Sequence, residues 1–380
     1  MADTVPIAFY APLKAPDHPT PSGDRRMARL FLKALSTAGF TPEIASRFRA
    51  FVADPSEAAF AARAEAALAE SHRLVERYRA LPASARPRLW FTYHLYYKAP
   101  DFLGPRIAAE LEIPYVVAEA SRSKKRFSGP WAESAMDAEA GIDLADVIFC
   151  LTSRDRPALD AALDSTQTLV DLPPFLELPA APREREASKG PLRLLTVAMM
   201  RPGDKLASYR TLADALGRAR ADWRLEVVGD GPAAEEVREL FGRFGDRVQL
   251  RGQLAEDAVA RAYGDADLLV WPGVGEAFGM AYLEARAHGL PVLAEDRPGV
   301  RDVIGEDGLR APPDDPAALA AALDEASSDR AGLAARGRAA RSAVERAHSI
   351  ATAAGRLRST LRPIIAEDAP RRPCLRDRAS

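Results

Sequence analysis

Short apolar runs alternate with longer amphipathic stretches along the whole chain. In the first half, residues 7–10, 89–93, 115–118 and 147–151 read as buried strands, and residues 23–35, 57–79, 102–111 and 156–163 as the helices between them. In the second half, residues 192–197, 225–228, 248–250, 268–271 and 292–294 read as strands, separated by helices over 206–216, 233–241, 256–263 and 280–288. Strands alternating with helices predict parallel sheets covered on both faces. Most of the strands are near-continuous apolar runs, which fits two buried faces.

The alternation breaks at residues 172–191, which are rich in Pro and charge and have no periodicity. A linker is the simple reading. The expected architecture is α/β: two Rossmann-like domains, 1–175 and 190–345, with parallel sheets facing across a cleft. Ligands of open α/β sheets bind beyond the carboxyl ends of the strands, so that cleft is the expected site. The Ala-rich end of the chain predicts helix to about Leu361, with residues 346–362 packing back towards the N-terminal domain and 363–380 forming a disordered tail.

Composition narrows the function. The 380 residues are 47% hydrophobic and 28% charged, with a net charge of −2, so no basic excess exists to neutralise a nucleic-acid backbone. The two cysteines, Cys150 and Cys374, form neither a disulfide framework nor a metal motif. The N-terminus lacks a basic stretch followed by an apolar one, and no apolar run approaches ~18 residues. The expectation is a cytoplasmic protein, with contact at the inner face of a membrane left open.

The most informative segment is WPGVGEAFGMAYLEARAHGLPVLA, from Trp271. A strand ends there, a Gly-rich turn follows, and a helix runs from about Met280 until Gly289 stops it. Backbone N–H groups near Ala277, Phe278, Gly279 and Met280 lie at a positive helix end, which suits a phosphate. Glu276 lies at the mouth of the helix and Glu284 about one turn inside. Carboxylates beside an anion site would not grip the phosphate, but they accept hydrogen bonds from sugar and ribose hydroxyls. As ordinary surface charges, the same acids would mean nothing.

This segment resembles the E-x7-E motif of family 4 retaining glycosyltransferases, which have the GT-B fold; Glu276 and Glu284 match the two acids and Phe278-Gly279 the F-G between them. The resemblance is strong from about Leu192 to Leu323 and weak in the first half. It implies transfer of a hexose from a UDP- or GDP-linked sugar to a hydroxyl of a sugar, glycan or lipid-linked acceptor, with retention at the anomeric carbon. The first acid would meet the donor sugar and the second the nucleotide ribose.

Arg201 and Lys205 follow the strand 192–197. Two cations at a strand exit can neutralise a diphosphate leaving group. They resemble the family's G-R-x-x-x-x-K-G, but Met200 precedes the Arg, the pair is one residue closer and Leu206 follows the Lys. With no aspartate pair resembling a metal-holding motif, these cations stand in for a metal ion and no cofactor is expected. A surface pair between Lys205 and Asp204 is the alternative. Gly229 and Gly231, in GDGP, resemble the family's G-x-G-P turn and permit close backbone approach. GDGPAA also fits a dinucleotide fingerprint, but the next strand ends in Arg251 without a ribose-binding acid.

In the first half, Ser22-Gly23 resembles the family's Gly-containing loop facing the donor phosphates, and Ser22 or Asp24 can equally cap a helix. His94 ends a strand, where it can bond a sugar or move a proton. Many relatives carry His at the position of Ala120, so His94, Glu119 or Ser121 is expected to take over that contact. Arg122, Lys124, Lys125 and Arg126 form a cationic loop, fitting either an acidic or phosphorylated acceptor or a solvated surface. The rival readings are a GT-B phosphorylase, a nucleotide-sugar epimerase, or a nucleotide-sugar binding protein without catalysis.

Overall fold

The computed structural model describes residues 5–20, 22–53, 55–180 and 189–366. The chain divides into two units, one of Met1–Phe175 with Ile350–Ser380 and one of Leu176–Ser349. Each is built on a six-stranded, all-parallel sheet.

The first unit contains β1 (Val5–Tyr10), α1 (Gly23–Thr37), β2 (Phe40–Ile44), α2 (Glu57–Ala80), β3 (Trp90–Leu95), α3 (Gly104–Leu111), β4 (Tyr115–Ala120), α4 (Ala132–Asp143), β5 (Val147–Cys150), α5 (Arg156–Asp160) and β6 (Thr168–Asp171), in strand order β2-β1-β3-β4-β5-β6. The central strands β4 and β5 are buried at every position. Buried Asp101 ties β3 and β4 to α3: Oδ1 accepts from the N–H groups of Leu103 and Gly104 at 3.0 and 2.8 Å, and Oδ2 from the Tyr115 hydroxyl at 3.0 Å and from Thr92. A carboxylate with all those donors satisfied can be buried without leaving an orphan charge.

The second unit contains β7 (Leu192–Val197), α6 (Asp204–Arg218), β8 (Trp223–Val228), α7 (Ala234–Gly242), β9 (Val248–Leu250), α8 (Glu256–Asp265), β10 (Leu268–Val270), α9 (Met280–Ala287), β11 (Val292–Glu295), α10 (Val300–Ile304), β12 (Leu309–Ala311), α11 (Pro316–Ser328) and α12 (Arg330–Ala347), in strand order β12-β11-β10-β7-β8-β9. Residues 172–180 of the expected linker are ordered at its start. Leu176 N–H donates to the His348 carbonyl at 2.9 Å, and Arg341 Nη2 to that of Pro179 at 3.1 Å. Residues 181–188 lie outside the described residues.

The chain then returns to the first unit as α13 (Ile350–Ala366), whose Arg358 bonds the carbonyls of Thr37 and Ala38 at the C-terminal end of α1. Helix continues through Pro363, where the tail was expected to begin. Leu357, Leu361 and Ile365 are buried at i, i+4 spacing, and this apolar face holds the last turn although Pro363 gives up one backbone bond. The rest of the expected tail, 367–380, lies outside the described residues.

Three strands absent from the sequence reading, β2, β6 and β12, are all edge strands. An edge strand is half solvated, so it need not be a continuous apolar run, and β2 tolerates Pro42 because an edge residue can forgo a ladder bond. The helix expected over 156–163 stops at Asp160, and α4 and α10 were not read at all. No helix of the described residues is long and apolar enough to cross a membrane.

Candidate functional site

In the second unit, β10 delivers Trp271 to the sheet's carboxyl edge, and the loop from there to α9 carries the expected donor residues. Gly279 stands at the N-cap of α9 with φ +77°, a conformation that favours glycine, and a Cβ there would come within 2.5 Å of the Tyr282 ring. With no capping side chain, the first N–H groups of α9 face outward from the helix end. Ala277 is exposed, Gly279 half-buried, and Phe278 and Met280 buried.

The loop is strapped to α6. Val274 N–H donates to Ser208 Oγ at 2.9 Å, and Gly275 packs so close to Asp204 that a Cβ would lie 2.1 Å from its carboxylate. These contacts bring Lys205, in the first turn of α6, onto Glu276. The two form an ion pair, with side chains 25% and 15% exposed. Glu276 Oε1 also accepts from the Trp271 indole N–H at 3.0 Å, and Lys205 Nζ lies 5.7 Å from the indole centroid. Lys205 therefore pairs with Glu276 across the loop and not with neighbouring Asp204. Arg201 is exposed, and its guanidinium pairs with none of the described residues.

Glu284 is buried on α9, where Oε2 accepts from the Tyr263 hydroxyl at 2.9 Å. The Tyr263 ring stacks on His288, whose Nδ1 lies 2.8 Å from the Glu284 carbonyl. Gly229 and Gly231 have φ of +149° and +150°. Their close approach is to the chain itself: a Cβ would lie 1.8 Å from the Ala198 carbonyl oxygen and 2.3 Å from that of Met200. The two glycines thereby seat the strand exit that leads to Arg201.

In the first unit, Ser22 Oγ caps α1 by accepting from Arg25 N–H at 3.2 Å, and Gly23 opens the helix with empty space where a Cβ would go. The next residue, Asp24, meets His94: Oδ1 lies 3.0 Å from Nδ1, and Glu119 Oε1 lies 3.9 Å from the same nitrogen. His94 and Glu119 stand at the ends of adjacent strands, both left-handed with φ +64° and +60°. For residues other than glycine that conformation is strained, and such strain gathers at functional sites. Ser121 donates to Asp155 Oδ1 at 2.8 Å. Arg122 is turned away from this cluster and committed to α4, pairing with Glu139 and, at 2.7 Å, Asp143.

The electrostatics follow from the burial. Desolvation opposes charge on His94, but the carboxylates of Glu119, Asp24 and Asp155 outweigh it and push its pKa up to about 9. Burial raises Glu119 above the usual carboxylate range, against the pull of His94. Burial also raises Asp155, partly offset by Ser121, Arg154 and His94. For Asp24, burial is outweighed by the bond to His94 and by Lys14, so its pKa is lowered. His94 is thus an imidazolium at neutral pH, able to donate to a hydroxyl or anion, beside a carboxylate whose Oε2 has no hydrogen-bond partner. Among the described residues no group of three or more His, Cys, Asp or Glu is arranged to hold a metal ion.

Sequence reasoning gave no site role to Asp155, Tyr263 or Trp271, and it saw Asp24 only as a cap. The hydrogen-bond partners of Asp24, Asp155 and Tyr263 lie 70, 34 and 21 residues away, so only the fold brings them together, whereas Trp271 meets Glu276 five residues on, within one loop.

Comparison with known proteins bears on the second unit most directly. Residues 191–329 match the family model described as glycosyl transferases group 1. An exopolysaccharide phosphotransferase of Streptomyces coelicolor is 32% identical over 218 residues, which are 54% of this chain and 21% of that protein. The chain thus spans about a fifth of that relative's length. Among solved structures, sucrose-phosphate synthase from Thermosynechococcus elongatus superposes with a TM-score of 0.72 at 20% identity, over 95% of this chain and 99% of that one. The Anabaena protein HepE, in complex with UDP, gives 0.70 at 15% identity, over 93% and 99%. The fold is that of GT-B proteins, and within the second unit residues 191–329 are similar to the group 1 glycosyl transferases.

Proposed function

We propose that the protein is a retaining hexosyltransferase of the family 4 type. It would move a hexose from a UDP- or GDP-linked sugar to an acceptor hydroxyl, in glycan, polysaccharide or glycolipid synthesis. The observation that carries this reading is the junction of Lys205, Glu276 and Trp271 at the mouth of α9, with Glu284 one turn inside the same helix. The family match over this unit and a fold relative solved with UDP support it.

In the proposed reaction the bond between the anomeric carbon and the β-phosphate oxygen breaks, and the acceptor oxygen bonds that carbon on the same face. The acceptor's proton passes to the departing phosphate. Charge builds on that diphosphate, and Lys205, Arg201 and the amides from Ala277 to Met280 would stabilise it. An arriving diphosphate competes with Glu276 for Lys205. That exchange releases the Glu276 carboxylate to accept from the sugar hydroxyls, while Glu284 accepts from the ribose. Gly229 and Gly231 shape the strand exit that presents Arg201. Ser22 and Gly23 are assigned to the donor phosphates, and His94, Glu119 and Ser121 to the acceptor. Arg122 acts by fixing the loop after β4 to α4. No step calls on a cofactor or metal.

A thermal-shift screen of nucleoside diphosphates and their sugars tests the reading, since a ligand of the folded state raises its melting point. A UDP- or GDP-type ligand should stabilise the wild type and much less Glu284→Ala. Equal shifts in both proteins would remove Glu284 from the site, and no shift with any nucleotide would end the proposal.

A further inference from the structure

Among the described residues, three large apolar side chains stand exposed: Leu68 at 39%, Phe127 at 44% and Met136 at 53%. Phe127 and Met136 flank one stretch of the first unit. Phe127 directly follows the run Lys124-Lys125-Arg126, a single 3₁₀ turn after β4, and residues 124–130 are exposed without a break. Behind the turn stand the half-buried rings of Tyr97 and Trp131, edge to face with centroids 5.2 Å apart. Arg126 lies over Tyr97 at 5.0 Å, and Lys98 reaches Tyr97 and Trp131 at 5.8 and 5.4 Å. The chain has seven lysines against 45 arginines, and three of the seven are here.

Charge pairing separates this patch from its neighbour. Arg122, two residues before the turn, is held by two carboxylates of α4. Lys98, Lys124, Lys125 and Arg126 pair with no carboxylate among the described residues. Arg126 and Lys98 gain cation–π contact with Tyr97 and Trp131, but Lys124 and Lys125 have no such partner among the described residues, the like charges repel one another, and Phe127 beside them leaves apolar surface in water.

We propose that this face of the first unit docks on an anionic lipid bilayer. Headgroup phosphates would pair the four cations, Phe127 and Met136 would enter the acyl boundary, and Tyr97 and Trp131 have the amphipathic character that favours the headgroup level. A soluble phosphorylated ligand would satisfy the cations but leave Phe127 and Met136 with nothing to bury, and this favours the bilayer. The inference stands apart from the catalytic reading, because it requires no nucleotide or acceptor.

The test is sedimentation of the full chain with phosphatidylcholine vesicles, with and without phosphatidylglycerol. Binding should require phosphatidylglycerol and weaken with salt. Each cation removed by Lys124→Gln, Lys125→Gln or Arg126→Gln should weaken binding about fivefold, and the triple change about a hundredfold. Phe127→Ser should weaken it with the salt dependence unchanged. Trp90, Trp223 and Trp271 are buried, so a blue shift of emission on vesicle addition should report Trp131 and vanish in Trp131→Phe. Wild-type melting temperatures show that the variants fold. Equal binding to both vesicle types, wild-type binding by the triple variant, or capture of a soluble phosphorylated glycan without any vesicle binding would each overturn the proposal.

Discussion

The Tyr263 hydroxyl donates to Glu284 Oε2 across 2.9 Å, and both side chains are buried. The second acid of the motif therefore has a fixed rotamer before any ligand arrives. Tyr263→Phe keeps the ring and its stacking on His288 but removes the donor. It should cost about 1–3 kcal/mol of unfolding free energy, since a buried acceptor loses a partner. It should also reduce the melting-point rise given by UDP or GDP. A variant that loses stability but keeps the full nucleotide shift would show that the bond only supports the fold.

Lys205 and Glu276 should be coupled in the empty protein and uncoupled in the loaded one. A double-mutant cycle with Lys205→Met and Glu276→Gln should give about 1 kcal/mol of interaction by chemical denaturation without nucleotide, as expected for contacting, partly exposed charges. At saturating nucleoside diphosphate the coupling should fall towards zero, because the diphosphate takes over Lys205. Persistence of the full coupling would refute the exchange of partners.

Two classes of glycine substitution should part company. Gly229→Ala and Gly231→Ala place a Cβ against rigid backbone carbonyls, 1.8 and 2.3 Å away, at positive φ. Each should destabilise the fold by about 3 kcal/mol or more, measured by urea unfolding. Gly23→Ala meets open space at the start of α1 and should leave stability within about 1 kcal/mol of the wild type. A loss of nucleotide binding in Gly23→Ala would then assign that position to the ligand rather than to the cap.

What the sequence reveals depends on how local the cause is. The strand–loop–helix around Glu276 and Glu284 was readable because a buried strand, Gly279, Gly289 and Pro291 punctuate it within one short segment. The edge strands β2, β6 and β12 were not readable, because half-solvated strands lack the apolar run that marks β4 and β5. Glu276 was singled out from the sequence, but not its bonds to Lys205 and Trp271, which form where Gly275 lets the loop close on Asp204. His94 and Glu119 were named from their places at strand ends. Their left-handed backbones and their convergence with Asp24 follow from neighbouring strands in register, which no local pattern encodes.

The His94 cluster makes a prediction whose sign can be worked out. The imidazole faces the carboxylates of Asp24, Glu119 and Asp155, with Lys14 acting on Asp24 and Arg154 on Asp155, and Tyr93 and Tyr96 lie alongside. Its pKa rises from 6.5 to about 9 on folding. A raised pKa means that the folded state holds the proton more tightly. The resulting stability is fully present below about pH 6.5 and is lost as the pH climbs through about 9. At ~1.4 kcal/mol per pKa unit, it amounts to about 3 kcal/mol. The difference in unfolding free energy between the wild type and His94→Gln should therefore shrink by that order across this window. Glu119→Gln removes the carboxylate that does most to raise the imidazole, so the His94 proton NMR titration should move down towards 6.5 in that variant. A wild-type minus His94→Gln difference that stays flat with pH would mean the imidazole is neutral in the folded protein, and its role as a hydrogen-bond donor to acceptor hydroxyls would have to be withdrawn.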